Sequence, residues 1–210
     1  MSKVSPNVHW ELGAVTRAQR EERNQHPALV VWLTGLSASG KSTIATGLEQ
    51  VLFADGGNVA RLDGDNVRHG LCGDLGFSHG DRTENIRRVA EVAALLHELG
   101  HVAICAFISP YRSDREFARS LVPPDRFVEV YVKCALSVCE ERDPKGLYKR
   151  AHAGEIRGFT GVDDAYEEPL TPELVVDTAT LDAAHAVAAV YEAVAQRLSA
   201  KASAQARAAD

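Results

Sequence analysis

Paired cysteines are missing from this chain. Cys72, Cys105, Cys134 and Cys139 are its only four, with no C-x-x-C pair and no matching histidine spacing. That excludes a disulfide framework and a zinc module, and leaves reduced thiols, two of them in or beside apolar runs where cysteine acts as a small hydrophobe. An excess of basic charge is missing too. The 23 Lys and Arg residues face 29 Asp and Glu, for a net charge of −6, the wrong balance for a nucleic-acid binder. No apolar stretch approaches membrane-spanning length, and residues 1–7 are polar rather than leader-like, so a cytoplasmic protein that engages no membrane is expected. No internal repeat is evident. No Asn-Lys dipeptide occurs anywhere, which removes the guanine-reading Asn-Lys-x-Asp segment of a regulatory GTPase.

What is present begins with Gly35-Leu36-Ser37-Ala38-Ser39-Gly40-Lys41-Ser42, a match to G-x-x-x-x-G-K-[ST]. The apolar run 29–33 leads into it, and a helical pattern over 43–52 follows, with Ile44, Leu48, Val51 and Leu52 on one stripe. Strand, glycine loop, helix is the order this motif needs. The glycines let successive N–H groups turn inward around a polyphosphate, and the helix N-terminus adds partial positive charge. Lys41 is placed to reach the β- and γ-phosphates, and the Ser42 hydroxyl to ligate Mg²⁺. A nucleoside triphosphate is the expected ligand.

The remaining pattern alternates. A solvated helix carrying Arg17, Arg20, Glu21, Glu22 and Arg23 precedes Pro27; strands are expected over 29–34, 58–62, 101–108, 127–132 and 174–177. Helices are expected from 81 or 83 to 99, closed by Gly100, and over 113–121, 135–142 and 181–198. Residues 143–168 show no period and are too long for a structureless loop, which makes them a candidate lid. The organisation is therefore an N-terminal extension (1–27), a P-loop domain (28–200) and a fraying tail (201–210). The fold class is α/β: three layers around a five-stranded, mainly parallel sheet. Ligands bind such sheets beyond the carboxyl ends of the strands, where the P-loop, Asp63-Gly64-Asp65, Ser109 and the segment after Cys134 all fall.

Asp63 and Asp65 are placed to hold the water shell of Mg²⁺ or to accept a proton from an attacking hydroxyl; the alternative is a turn that caps the next helix. Arg68 and Arg82, beside glycine-rich turns, are candidates to clamp an anionic second substrate through bidentate bonds. Arg87 and Arg88 read as a solvated face paired to Glu84.

From Asn7 to Pro172 the chain resembles the adenylylsulfate kinases (APS kinases). The resemblance is carried by the P-loop with Thr43-Ile44-Ala45, by Leu62-Asp63-Gly64-Asp65-Asn66-Val67-Arg68-His69-Gly70-Leu71, and by Asp74-Leu75-Gly76-Phe77-Ser78 with Asp81-Arg82 and Glu84-Asn85-Ile86-Arg87-Arg88. Ile108-Ser109-Pro110-Tyr111-Arg112, Arg142-Asp143-Pro144-Lys145-Gly146-Leu147-Tyr148 and Phe159-Thr160-Gly161 complete it. It implies transfer of the ATP γ-phosphoryl group to the 3′-hydroxyl of adenosine 5′-phosphosulfate (APS), giving 3′-phosphoadenosine 5′-phosphosulfate in sulfate assimilation. It also implies that Arg68, Phe77, Arg82, Asn85 and Ile108 hold APS, with Phe77 offering a face to adenine. Lys145 and Leu147 would close over the sites, Arg142 would lie near the ATP base, and Thr160 and Gly161 would contact it. The ATP set becomes Gly35, Leu36, Ser37, Ala38, Ser39, Gly40, Lys41, Ser42 and Thr43 with those three. Mg²⁺ would lie at Ser42 and Asp65. A homodimer is implied, with ATP sulfurylase admitted as a partner.

The departures are Ala38, where many members carry glycine, Cys72 for a frequent Asn, and His79-Gly80 between Phe77 and Arg82. Asp63 is the candidate to orient or deprotonate the 3′-hydroxyl, with Asp65 supporting Mg²⁺ or the arginines. The serine matching Ser109 is described in the family as a phosphoserine intermediate. No neighbouring His or Lys marks Ser109 as an activated nucleophile, so direct transfer is the expectation. A kinase of another hydroxylated metabolite and a silent nucleotide-binding scaffold are the rival readings; the segment from Phe77 to Asn85 with Lys145 argues against the first, and intact Lys41, Ser42, Asp63 and Asp65 against the second.

Overall fold

A computed structural model describes residues 7–9, 11 and 13–206, with side chains through residue 199. Five strands form one sheet: β1 (Leu29–Thr34), β2 (Val59–Asp63), β3 (Val102–Ala106), β4 (Phe127–Lys133) and β5 (Leu174–Asp177). Their order is β2-β3-β1-β4-β5 and every pairing is parallel. β1 is central and buried at all six positions, as a β-branched and aromatic run at the middle of a parallel sheet should be.

Alternation along β1 sorts the two faces. Leu29, Val31 and Leu33 face one layer with Ile44, Ala45 and Leu48 of α2 (Lys41–Ala54) and Ala186, Val190 and Val194 of a long C-terminal helix. Val30 and Trp32 face the other layer, with residues of the helix His79–Glu98 and of the helix Arg112–Ser120. Three layers and a parallel sheet stand as expected, and all four cysteines are free and buried. Among the described residues no helix is long and apolar enough to cross a membrane.

In chain order the helices are α1 (Arg17–Asn24), α2, α3 (Gly64–Val67), α4 (His79–Glu98), α5 (Arg112–Ser120), α6 (Leu136–Arg142), α7 (Leu147–His152) and α8 (Ala183–Ala206). Several bounds differ from expectation for local reasons. α4 begins at His79 because the Ser78 hydroxyl accepts from the Asp81 N–H at 3.2 Å, an N-cap. α7 lies within the segment that showed no period; at six residues it is too short to display one. α8 runs through the tail expected to fray from Lys201, ending at Ala206; residues 207–210 of that tail lie outside the described residues. α1 opens on a capping box between Thr16 and Gln19, and rests on the end of α4 through Arg17–Glu98 (3.3 Å) and an Asn24 bond to the Gly100 carbonyl (3.0 Å).

Candidate active site

The loop Gly35–Ser42 leaves the buried end of β1 and turns straight into α2. Gly35 has φ of 151° and lies so close to the Val132 carbonyl that a Cβ would collide with it. Gly40, at the α2 N-cap, has φ of 99°. Only glycine takes such angles without cost. Ala38 sits at φ of 59°, left-handed backbone that costs an L-residue roughly 1–2 kcal/mol. The departure from glycine noted in the sequence therefore falls on a strained position.

Side chains engage the loop's carbonyls. Lys41 is buried, and its Nζ donates to the carbonyls of Gly35 (2.9 Å) and Leu36 (2.6 Å). Tyr148 donates to the Ser37 carbonyl at 3.1 Å and Thr178 to that of Ser39 at 2.7 Å. With its carbonyls engaged, such a loop turns amides toward an anion, and α2 adds its N-terminal field. Burial pulls the Lys41 ammonium down to about 8, because the charged form loses water. Ser42 and Thr43 are exposed at the start of α2.

Asp63 ends β2 beside them. Its Oδ2 accepts from the Ser42 hydroxyl at 2.8 Å and its Oδ1 from the Asp65 N–H at 3.1 Å. The capping alternative is thus present, and the same carboxylate also faces the P-loop. Asp65 is exposed and pairs with Lys145 from the far segment. Ser42, Asp63 and Asp65 offer hard oxygen donors suited to Mg²⁺, which keeps several waters and leans on phosphate for the rest. The chemistry of the donor set fits that ion, although no group of three His, Cys, Asp or Glu ligands occurs among the described residues.

The second cluster lies where α4 begins. The Arg68 guanidinium stacks over Phe77 at 4.3 Å and donates to the carbonyls of Leu75 (3.1 Å) and Gly76 (2.9 Å). Arg82 donates to the carbonyls of Phe77 (3.0 Å) and Gly158 (2.6 Å), 3.9 Å from the Asp164 carboxylate. Asn85, one turn along, is buried with its Oδ1 unpartnered. An unpaired buried acceptor is costly. A cavity of about 430 Å³ opens here, lined among others by Phe77, His79, Tyr111, Arg157 and Asp164. Phe77 is exposed at its edge rather than packed in the core. His79, one of the sequence departures, stacks on Tyr111 with ring centroids 4.2 Å apart.

Ser109 stands differently. It is 2% exposed with φ of 39°; its Oγ accepts from Trp32 Nε1 at 3.1 Å and donates to Thr34 Oγ1 at 3.0 Å. Ile108 is half-buried, and its carbonyl accepts from Thr34 Oγ1 at 2.7 Å. On the far side, Arg142 donates to the Thr178 carbonyl at 2.5 Å. Gly161 sits against Leu36 of the P-loop, and Thr160 is buried with its hydroxyl unpartnered. Leu147 packs with Tyr148 and Phe159 around Cys134 and Cys139.

Two residues central to this geometry received no role from the sequence: Tyr148, present there only as part of a motif, and Thr178. Thr178 was within reach, standing one residue past an expected strand end. Tyr148 acts on a carbonyl distant in sequence and leaves no local signal of that role.

The sequence profile of the family described as adenylylsulphate kinase matches residues 27–177. An adenylyl-sulfate kinase of Bacillus licheniformis is 59% identical over 175 residues, 83% of this chain and 89% of that protein. One from Geotalea uraniireducens is 52% identical over 197 residues, 94% and 95% of the two chains. Among solved structures, the Mycobacterium tuberculosis APS kinase in complex with AMPPNP and APS superposes with a TM-score of 0.76 at 43% identity, covering 80% of this chain and 98% of that one.

Proposed function

The chain belongs to the adenylylsulphate kinase family, and from that premise we propose how it works. It is an ATP-dependent kinase that transfers the γ-phosphoryl group to APS, at the ribose 3′-hydroxyl. The observation that carries this reading is the presence of two unlike polar sites in one chain, the first at the end of β1 and the second where α4 begins. One is a glycine loop with buried Lys41, and the other an arginine and aromatic cluster with an unpaired amide at Asn85.

The P-loop amides and Lys41 hold the polyphosphate, whose oxygens replace the Gly35 and Leu36 carbonyls as partners of Nζ. Arg68 and Arg82 answer the phosphosulfate charge, Phe77 stacks on the adenine, and Asn85 Oδ1 accepts from the nucleoside. Asp63, already bonded to Ser42, orients the 3′-hydroxyl and receives its proton as the bond to phosphorus forms. Ser42 and Asp65 would hold Mg²⁺ together with the nucleotide, and the ion would supply neutralisation of phosphate charge. Ser109 positions rather than attacks; its buried, doubly bonded hydroxyl supports direct transfer.

Residues 143–168 form the lid, with Lys145 reaching Asp65 and Leu147 closing beside it; Arg142, Thr160 and Gly161 frame the ATP base. Residues 1–27 are an extension and 201–210 a tail. The protein works in the cytoplasm as a homodimer in sulfate assimilation.

The test is product formation from MgATP and APS, separated by chromatography, beside AMP and acceptor-free controls. A 3′-phosphorylated product with APS alone supports the reading. ATP bound with APS untouched would end it.

A further inference from the structure

The lid's return leg is fastened to the acceptor side of the site. Tyr111 donates to Asp164 at 3.0 Å, and the Glu167 N–H to the Pro110 carbonyl at 2.9 Å. The Arg112 N–H and Nε donate to Glu167 Oε2 and the Glu168 carbonyl, each at 2.8 Å. At the centre is Arg115 of α5, 3% exposed, with all three guanidinium nitrogens used. Its Nε donates to Glu129 Oε1 at 2.8 Å, its Nη1 to the Ser109 carbonyl at 2.6 Å, and its Nη2 to the Glu167 carbonyl at 2.6 Å. The same guanidinium lies 5.8 Å from the Tyr166 ring centroid.

Tyr166 closes the circuit. Its hydroxyl is 2.9 Å from Thr34 Oγ1. Thr34 gives its own proton to the Ile108 carbonyl, so Tyr166 is the donor. Burial pushes this phenol up to about 12, which keeps that donor proton in place at neutral pH. Ile108 and Ser109 are therefore held from two directions, by Thr34 backed by Tyr166 and by Arg115. Arg115 also holds the backbone of Ser109 in its left-handed turn. Contacts that only stabilised the core would not converge on two carbonyls at one strand end.

We propose that Arg115 and Tyr166 are positioning residues for the acceptor substrate: they lock residues 164–168 of the lid onto residues 108–110, and so set where Ile108 and Ser109 stand in the acceptor pocket. The inference rests on the reading of that pocket as the APS site. Neither residue is hydrogen-bonded to residues 35–42, so loss of the brace should weaken APS binding selectively.

The experiment is steady-state kinetics of the full chain, varying APS at saturating MgATP and MgATP at saturating APS, with melting curves alongside. Tyr166→Phe removes one oxygen and leaves Thr34 with Ser109 as donor. Losing one hydrogen bond should raise KM for APS about threefold to tenfold while KM for MgATP stays within about twofold. Arg115→Lys, which cannot reach three partners in one plane, should shift the APS parameter further. Arg115→Met paired with Glu129→Gln removes the charges together, leaves no unpaired buried carboxylate, and should show the same selective defect. Equal changes in both KM values, or none in variants that melt normally, would overturn the brace while wild-type turnover of APS stands. A wild-type chain that leaves APS untouched would overturn the acceptor reading and the brace with it.

Discussion

Ser42 Oγ lies 2.8 Å from Asp63 Oδ2, so the hydroxyl at the start of the nucleotide helix and the carboxylate at the end of β2 are one hydrogen-bonded unit. In the proposed mechanism, nucleotide and acceptor chemistry meet at this pair. Asp63→Asn keeps an acceptor oxygen for Ser42 but cannot take a proton. Turnover is expected to fall by about 10²–10⁴, with ATP affinity within about threefold by nucleotide titration. A turnover within tenfold of wild type would remove Asp63 from the proton path.

Lys41 makes nucleotide binding pH-dependent. In the free protein burial brings its ammonium down to about 8; beside a polyphosphate the charged form is favoured again. The bound site therefore holds more proton above pH 8, and affinity should weaken as pH rises through that value. Calorimetry at pH 8.5 in two buffers of different ionisation enthalpy should register proton uptake. Equal heats in both would contradict the assignment.

Ala38 should be improvable. Glycine at φ of 59° escapes the left-handed penalty but loses more entropy on folding, so Ala38→Gly should gain about 0.5–1 kcal/mol. Denaturant unfolding measures it. Ala38→Val, β-branched at the same angle, should lose stability instead.

This case shows where legibility stops. Motif, strand ends and the arginine cluster were readable because each depends on residues adjacent in sequence, as with β1 leading into Gly35. That Ala38 departs from glycine was readable; that it occupies a positive φ was not. Tyr148 bonding Ser37, and Arg115 bonding Ser109 and Glu167, join segments across the fold, and no periodicity encodes such a bond. α7 stayed hidden because a six-residue helix completes fewer than two turns.

Ser109 separates direct transfer from a phosphoenzyme. Its proton already goes to Thr34 and its lone pair to Trp32, which leaves no base to activate it. Ser109→Ala should retain turnover within about tenfold, the effect of a lost positioning bond, and wild type quenched during turnover with γ-labelled ATP should carry no label on serine. Stoichiometric labelled Ser109 would reverse this conclusion.

His97 should govern acid stability through α1. It is 2% exposed near the end of α4, with Nδ1 3.5 Å from Arg17 Nη1 and Nε2 buried without a partner. Arginine only donates, so Nδ1 is the acceptor and protonating it would set two cations face to face. Burial first, and Arg17 second, bring its pKa down to about 4 from an ordinary 6.5. The unfolded chain thus binds the proton more readily. Its contribution is complete above about pH 6.5, is lost as pH falls toward 4, and amounts to something on the order of 3 kcal/mol. Carboxylates also titrate below pH 5, so the readout is a difference: the urea midpoint of wild type should fall relative to that of His97→Leu as pH drops from 7.5 to 4.5. Because protonation also opposes Arg17, the protection factors of amides in residues 17–24, taken against the intrinsic exchange rate at each pH, should fall over the same interval in wild type alone. A gap between the two proteins that ignores pH would show that His97 acts by shape and not by charge.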